Sequence, residues 1–347
     1  MKFLFGATLL SLHFICAYGA NATTASLLSD ALTSLRLTAL ATVIDVGGSD
    51  PRFAAFLEEV GAGNKTFFVP TKLTLSQGLS FITNIPNAVR TLQYQIAHGQ
   101  IFPDTAPVSP SHVVAPSVLN DNSTVFLKGG DTQLIVATKE DDGQLHILNQ
   151  GTDLVVTQSQ TVMSLGLVIN LVDTFLVPPG NLSAALAANN LTQFQTALQN
   201  AGLLSSLSSQ RGVTIFAPSD AAFASASGVL SSLSAGQLTT VLQNHVLNST
   251  VYSPSFGTSQ ISSTGQTLHM SNTSVTAGKS TAKLSQTDIG LQNGVLHIVD
   301  TVILDQNSGP SAQSGTSGGS ANGAVLSMRL PLLASVFGAI VAVFECW

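Results

Sequence analysis

The feature that most constrains this chain is an internal repeat, in which three short segments occur twice in the same order. The two members of each pair share their spacing of apolar and polar residues. Three matches in one order indicate a duplicated domain, so the fold has to be built from two similar units. The pairs are Thr66–Thr71 with Thr214–Ser219, Leu92–Ile96 with Leu242–Val246, and Val168–Thr174 with Val295–Thr301.

The repeat predicts one domain from Thr23 to Pro178 and a second from Asn181 to Asp305. Each copy is long enough to bury a hydrophobic core of its own. The junction between them is only Pro178-Pro179-Gly180. A connection this short predicts that the two domains lie against each other.

Helical periodicity opens each copy. In the first, Pro51 precedes apolar residues at helical spacing and Gly61 ends the run; in the second, the run stops before Gly202. A later helix of the second copy is expected to place His245 on its apolar face. The apolar positions of the three helices are Phe53, Phe56, Leu57 and Val60, then Phe194, Leu198 and Ala201, then Leu238, Val241, Leu242, His245 and Val246.

Short apolar runs bounded by turn residues predict strands, so the fold class is α+β. The first copy has a pair of runs around Asp141-Asp142-Gly143 that reads as a hairpin added to the repeat, which would explain its greater length. The predicted strands are Val213–Ala217, Thr267–Met270, Ala282–Leu284 and Val295–Leu304 in the second copy, and the hairpin runs are Leu134–Ala137 and Leu145–Leu148.

Two of these segments resemble the signature boxes of the fasciclin domain. Thr214–Phe223, which reads Thr-Ile-Phe-Ala-Pro-Ser-Asp-Ala-Ala-Phe, resembles the first box, and Asn293–Asp300 resembles the closing box. Leu242–Leu247 resembles the middle segment. The resemblance implies two tandem fasciclin-type domains, each a β-wedge or sandwich with packed helices. It also implies a role in cell adhesion or in matrix and wall association. The motif residues with an implied structural role are Pro218, Asp220, His245, His297 and Asp300.

Both copies depart from the Tyr-His pair that the family often has in its middle segment. The first copy has Tyr94 followed by Gln95, and the second has Asn244 before His245. Neither copy has the whole pair, so the sequence argues against an adhesive role for that pair here.

Both ends of the chain look like processing signals. Lys2, the apolar run to Cys16 and the small residues at Ala17 and Gly19 predict a signal peptide, 1–19, that is cleaved after Gly19. A membrane anchor is the rival, but the run is too short to span a bilayer.

At the other end, a Ser/Gly-rich stalk at 306–322 leads to small residues and the apolar run Leu330–Phe344. This order predicts a glycosylphosphatidylinositol anchor at Asn322, with Ser320 or Gly323 as alternatives and 323–347 removed. The rival, a single membrane-spanning helix, would have a short span and no basic residue after it.

Seven Asn-x-Ser/Thr sequons in a chain with a signal peptide predict a glycoprotein. They stand at Asn21, Asn64, Asn122, Asn181, Asn190, Asn248 and Asn272. Charged residues are only 9% of the chain, and the net charge is −6 with 12 Lys and Arg. Without a basic cluster the chain lacks the signature of a nucleic-acid-binding protein.

No motif in the chain predicts a catalytic residue, a metal site or a cofactor. The cysteines, Cys16 and Cys346, both lie in the segments expected to be removed. We expect His245 to be a hydrogen-bonded core residue and Asp220 to favour a helix start. Asp173 and Asp300 fall at matching places inside apolar runs, where a buried carboxylate would need hydrogen-bond partners. His297 should point away from its apolar neighbours.

The sequence therefore predicts a non-enzymatic cell-surface protein that binds surface, wall or matrix components and reaches the membrane through a lipid anchor. Contact between two copies of the chain is left open. The alternative is a binding module for a lipid or other apolar ligand, held in a groove between helices and sheet. A hydrolase that acts on wall polymers is a third hypothesis, but no acid/base pair is visible.

Overall fold

A computed structural model describes residues 23–74, 83–148 and 153–304. All of these residues lie within one compact unit, Met1–Pro310. The predicted signal peptide, the stalk, the anchor site Asn322 and the sequon at Asn21 lie outside the described residues. Among the described helices, none combines the length and the hydropathy that crossing a bilayer requires.

The N-terminal half consists of the described elements up to β8. Its helices are α1 (23–34), α2 (Thr38–Gly47), α3 (Pro51–Gly61) and α4 (Ile85–Tyr94). Its strands are β1 (Lys65–Pro70), β2 (Ile96–His98), β3 (Val113–Pro116), β4 (Leu134–Lys139), β5 (Leu145–Leu148), β6 (Leu154–Val155), β7 (Gln158–Val162) and β8 (Leu167–Val172). Short 3₁₀ turns lie at Lys128–Gly130 and Met163–Leu165.

The C-terminal half starts at Leu182. Its helices are α5 (Leu182–Ala188), α6 (Thr192–Asn200), α7 (Leu203–Ser209), α8 (Asp220–Leu230) and α9 (Ala235–Asn244). Its strands are β9 (Val213–Pro218), β10 (Val246–Leu247), β11 (Ser259–Ile261), β12 (Thr267–Met270), β13 (Ser274–Ala277), β14 (Ser280–Leu291) and β15 (Gly294–Val299), with a 3₁₀ turn at Ser253–Ser255.

The same central sheet occurs in both halves. Its strand order is β2-β1-β8-β7 in the first half, and β10-β9-β15-β14 begins the seven-stranded sheet of the second. In each half the first long strand pairs in parallel with the closing strand, β1 with β8 and β9 with β15. The helices between these strands provide the crossover that a parallel pair requires. The α+β class predicted from the sequence is confirmed.

The two parallel strands at the centre of each sheet are buried on both faces, because helices cover one face and further strands cover the other. In β1 the side chain of Phe67 packs among the helices, and that of its neighbour Phe68 packs against the β3–β6 sheet. In β9 the side chain of Ile215 likewise packs among the helices, and that of Phe216 packs against the further strands. Successive residues of a strand point to opposite faces, so a fully apolar strand serves two cores.

The hairpin of the first half is not an addition to the repeat, which corrects the sequence-based interpretation. Its strands β4 and β5 lie between β3 and β6, as β12 and β13 lie between β11 and β14. The strand β13 was not predicted because Ser274–Ala277 is short and half polar. Part of the extra length of the first half lies instead in the β3–β4 loop, residues 117–133, whose shorter counterpart is 262–266.

Candidate functional site: the motif residues and the seam between the halves

His245 lies in the core, at the end of a helix rather than within one. Helix α9 ends at Asn244 and the strand β10 starts at Val246, so His245 is the C-cap. Its Nδ1 donates to the carbonyl of Val241 at 2.7 Å, and its Nε2 accepts from the backbone N–H of Ile303 at 2.9 Å. Burial lowers the pKa of His245 to about 4. The imidazole is therefore neutral at physiological pH and unavailable to a partner.

His297 occupies the second face of β15, opposite the core that holds Leu296. The ring stacks on Phe216 with 5.3 Å between centroids. Its Nδ1 accepts from the backbone N–H of Asp288, and its Nε2 donates to the carbonyl of Val251 at 3.0 Å. Burial lowers the pKa of His297, against the opposing effects of Asp288 and of that carbonyl. Both ring nitrogens thus hold neighbouring segments to β15, Nδ1 the strand β14 and Nε2 the loop at Val251.

The first signature box joins two helices at the end of β9. Pro218 is the last residue of that strand, and Ser219 caps α8 by accepting from the N–H of Ala222 at 3.1 Å. Asp220 caps the neighbouring helix α6, because its carboxylate accepts from the N–H of Gln193 at 2.9 Å and from the hydroxyl of Thr192 at 2.5 Å. Because Asp220 is itself the first residue of α8, these hydrogen bonds connect α8 to α6.

Asp173 and Asp300 are not buried in strands, which corrects the expectation drawn from their apolar surroundings. Each follows the last residue of a closing strand and is exposed. Asp173 pairs with Lys72 at 2.6 Å. Asp300 accepts from the backbone N–H of Lys283 at 2.8 Å, which holds the end of β15 to β14.

The closing box depends on a close approach between two backbones. A Cβ atom at Gly294 would lie 1.9 Å from the carbonyl oxygen of Val213, so only glycine fits where β15 enters alongside β9. The amide of the preceding Asn293 donates to the carbonyls of Leu207 and Gln210, both at 2.7 Å. These contacts explain structurally why an Asn-Gly pair opens this box.

The two halves meet along a contact that we call the seam, and a buried carboxylate lies at its centre. Asp288 is only 1% exposed and has a left-handed backbone, with φ of 64°. Its carboxylate accepts from Nδ1 of His112 in the N-terminal half at 2.6 Å, and from the backbone N–H of Ser253 at 2.7 Å and its hydroxyl. Burial opposes ionisation of Asp288, but these hydrogen bonds and the nearby His297 outweigh it, so the pKa of Asp288 is lowered.

The β3–β4 loop, 117–133, forms much of the rest of the seam. The N–H of Phe126 donates to the carbonyl of Gln292 at 2.8 Å. The guanidinium of Arg211 lies 5.4 Å from the centre of the Phe126 ring and donates to the carbonyl of Leu127 at 3.4 Å. A cation over an aromatic ring contributes about 0.5–1 kcal/mol at an exposed site.

Further along the same loop, the ammonium of Lys128 donates to the carbonyl of Asn248 in the C-terminal half. The side-chain amide of Gln133 donates to the carbonyl of Leu291 at 3.3 Å. The segment that lengthens the N-terminal half is therefore the segment that fastens it to the other half. Apolar residues complete the seam, with Val136, Tyr252 and Val295 buried in one cluster.

The seam brings together Ser, His and Asp, but not in the order that nucleophilic catalysis needs. In a catalytic triad the histidine lies between the carboxylate and the serine, so that it can take the hydroxyl proton. Here Asp288 lies between His112 and Ser253 and accepts from both. Among the described residues, no group of three His, Cys, Asp or Glu is placed to hold a metal ion. The cluster fits a structural role.

The sequence analysis missed this cluster altogether. His112 and Asp288 are 176 residues apart in the sequence, and neither belongs to a motif. The local feature that marks Asp288 is its positive φ, and a backbone angle cannot be read from the sequence.

The space between the helices and the central sheet of the C-terminal half is filled by a packed core, which does not match the expected apolar groove there. A groove of about 460 Å³ lies instead among the helices α6, α8 and α9. Its floor is apolar and its rim carries hydroxyl and amide groups. The residues that line it include Thr192, Thr196, Ala197, Asn200, Phe223, Ser227, Leu230 and Leu238.

The six sequon asparagines that the structure describes are all exposed. Asn181 caps α5 through its side-chain oxygen, 2.9 Å from the N–H of Ala184. The side-chain oxygen of Asn248 accepts from the amide of Gln210 at 2.8 Å and from the hydroxyl of Ser263 at 3.0 Å. In both, the oxygen is the atom engaged, so the amide nitrogen that receives a glycan can stay directed to solvent. The other four are Asn64, Asn122, Asn190 and Asn272.

In comparison with known proteins, the family model described as "Fasciclin domain" matches residues 189–305 of this chain. Three fungal relatives are fasciclin-like arabinogalactan proteins. The one from Arthroderma benhamiae is 26% identical over 221 residues, 62% of this chain and 50% of the relative. The one from Cercospora beticola is 26% identical over 302 residues, 81% of this chain and 79% of the relative. The one from Phaeosphaeria nodorum is 29% identical over 143 residues, 40% of this chain and 45% of the relative.

The matched region thus spans about half the length of the Arthroderma benhamiae relative. Among solved structures, a FAS1 domain pair from the insect cell adhesion molecule Fasciclin I aligns with 78% of this chain and 98% of its own. Its identity to this chain is 14% and the TM-score is 0.37.

Proposed function

Since residues 189–305 match the fasciclin domain model, we propose that they form a fasciclin domain and that the N-terminal half, 23–178, is a second and divergent copy of it. The observation that supports this is the repeated central sheet. The order β2-β1-β8-β7 corresponds strand for strand to β10-β9-β15-β14, with the same parallel pair at its centre. The three matched sequence segments fall on corresponding elements of the two sheets.

The protein acts, in this proposal, as an extracellular glycoprotein for cell adhesion or for association with a wall or matrix. Proteins named fasciclin-like arabinogalactan proteins are 26% identical to this chain over 221 and 302 residues. The six exposed sequons suit a secreted chain, because glycans need access to solvent. The partners are surface, wall or matrix components or a second copy of the chain, and no catalytic activity is proposed.

The chain reaches the membrane through a glycosylphosphatidylinositol anchor at Asn322 in the same proposal. The order of stalk, small residues and apolar run supports it. Treatment of intact cells with a phospholipase specific for this anchor should release the protein. Recovery of peptides from Leu330 to Trp347 in the mature protein would refute the anchor. This result would not test the adhesive function.

A direct test of adhesion uses the full chain, released from cells by that phospholipase and coupled to beads. We expect the beads to aggregate or to bind isolated wall or matrix fragments, and bare beads to do neither. Mixing coated with uncoated beads separates contact between two copies from contact with another partner. Failure of coated beads to aggregate and to bind any fragment would contradict the proposal.

A second function, binding of an apolar ligand, is favoured by the groove among α6, α8 and α9. Its apolar floor and uncharged rim suit a neutral apolar molecule. Organic extraction of the purified protein followed by mass spectrometry tests it. Leu230→Asp should then lower the amount of co-purified lipid, whereas protein that never contains lipid would exclude this function.

A further inference from the structure

A second cavity lies at the seam, where the two halves together enclose about 480 Å³. This volume is within the range of roughly 300–1,000 Å³ that is usual for small-molecule sites, and such sites prefer the interface between two domains. The N-terminal half contributes Leu127, Asp131, Thr132 and Leu134 to its lining, and the C-terminal half contributes Thr250 and Tyr252.

We propose that this seam cavity binds a neutral saccharide. Its lining combines an aromatic residue and aliphatic walls with a carboxylate and two threonine hydroxyls. A pyranose ring has the matching chemistry, because its C–H faces are apolar and its edge carries hydroxyl groups. The carboxylate of Asp131 can accept from sugar hydroxyls, and Thr132 and Thr250 can both donate and accept.

The charges of the lining argue against the other common ligand classes. None of the residues that line the cavity is a lysine or arginine, the residues that bind phosphates and carboxylates. An acidic ligand would also meet the like charge of Asp131. A lipid chain would bury that carboxylate and both hydroxyls without a partner, which is costly.

Tyr252 provides an independent observation. It is only 6% exposed, and its hydroxyl makes no hydrogen bond to any described residue. Buried hydroxyl groups normally have a partner, and leaving one unpaired costs free energy. A ligand hydroxyl bound beside the ring would provide the missing partner after a small movement of the side chain.

The saccharide can come from two sources. One is a free or polymeric sugar of the wall or matrix. The other is a glycan on this chain, because Thr250 completes the sequon of Asn248, and Asn122 lies in the β3–β4 loop that forms one wall. The site goes beyond the proposed adhesive function, which does not depend on it.

The test is a titration of the full secreted chain, before and after enzymatic removal of N-glycans, with neutral tetrasaccharides. Cellotetraose, laminaritetraose, chitotetraose and mannotetraose are the probes, with tetragalacturonic acid as the charged counterpart. Isothermal titration and saturation-transfer NMR report binding. We expect a neutral probe to bind and the acidic probe not to bind.

Asp131→Asn should weaken that binding about tenfold, as expected for loss of a charged hydrogen-bond acceptor, and Tyr252→Phe about fivefold. Asp141→Asn, which removes an exposed carboxylate from the β4–β5 turn, is the matched control and should bind like the parent. Equal melting temperatures of the Asp131 and Asp141 variants exclude an effect through folding.

Binding in both glycosylation states identifies an external sugar as the occupant. Binding only after N-glycan removal identifies the chain's own glycan, and this result also supports a saccharide site. The proposal is overturned if no neutral probe binds in either state, or if the Asp131 and Tyr252 variants both bind like the parent. Beads that still aggregate in that case would leave the adhesive function intact.

Discussion

Gln95 in the N-terminal half and His245 in the C-terminal half make the same pair of connections. The side-chain nitrogen of Gln95 donates to Thr91, four residues earlier, at 3.1 Å, and its oxygen accepts from the N–H of Leu176 at 2.8 Å. His245 joins Val241, also four residues earlier, to Ile303. Leu176 and Ile303 each lie four residues beyond the closing strand of their half. Each side chain therefore fastens the end of a helix to the segment that follows the sheet.

The first prediction is that His245→Gln preserves this connection and reduces the sensitivity of the protein to acid. Burial lowers the pKa of His245 from 6.5 to about 4, so the unfolded state takes up the proton first as the pH falls. Stability from the neutral imidazole is present above pH 6.5 and is lost between pH 6.5 and 4. A shift of this size corresponds to about 3 kcal/mol. Urea unfolding of parent and variant at several pH values measures it.

His245→Ala serves as the contrast, because it leaves the N–H of Ile303 without its acceptor. We expect a loss of about 2–4 kcal/mol at pH 7 from the unpaired group and the cavity. His297 retains some acid sensitivity in every variant, since its pKa is also lowered. An unchanged pH slope in His245→Gln would show that folding does not lower the pKa of His245.

The second prediction concerns the seam. Asp288→Asn keeps the shape and tolerates the left-handed backbone, but it replaces an acceptor by a donor opposite His112 or Ser253. We expect a loss of about 2–3 kcal/mol in the free energy of unfolding at pH 7. The pKa of Asp288 is lowered, so the difference from the parent should shrink as the pH falls below 3.8.

Asp104→Asn, at an exposed position, is the control for the change of net charge. Calorimetry reports in addition whether the two halves still unfold together. If Asp288→Asn melts like the parent in one transition, the buried cluster contributes nothing to the joining of the halves.

The third prediction concerns the cap that Asp220 of the first signature box provides to α6. Asp220→Ala removes the acceptor for the N–H of Gln193 and should cost about 1–2 kcal/mol, because the start of α6 loses its cap. Asp220→Asn keeps an oxygen at that place and should cost less. Thermal unfolding of both variants beside the parent provides the comparison. Equal losses in both would mean that the charge of Asp220, and not its hydrogen bond, holds the helix.

The fourth prediction uses the sequon at Asn248. Thr250→Ala and Asn248→Gln should each remove one glycan, seen as the same mass loss on intact-protein mass spectrometry. Asn248→Gln also disturbs the bonds to Gln210 and Ser263 and should cost about 1 kcal/mol more after deglycosylation of both variants. Thr250→Ser, which keeps the sequon, should retain the glycan. No mass change in either variant would show that Asn248 is not glycosylated.

Much of the architecture could be predicted because it depends on short-range patterns. The alternation and helical spacing of apolar residues located β9, β12 and the helix that ends near Asn244. For the strongest apolar run, Val295–Leu304, the prediction and the structure differ at the C-terminal end, because β15 stops at Val299. An apolar run continues beyond a strand when the next segment packs elsewhere in the core, as Val302 and Ile303 do.

The sequence by itself predicted the duplication, and it determined the α+β class and the resemblance of the second copy to a fasciclin domain, because these lie in the local order of residues. Only the tertiary structure decided that Asp288 meets His112, that the β3–β4 loop binds the other half, and that Asp220 caps a helix other than its own. The physical reason is range. Periodicity records which face of an element is buried, whereas a hydrogen bond between distant residues exists only once two packed surfaces have brought its donor and acceptor together.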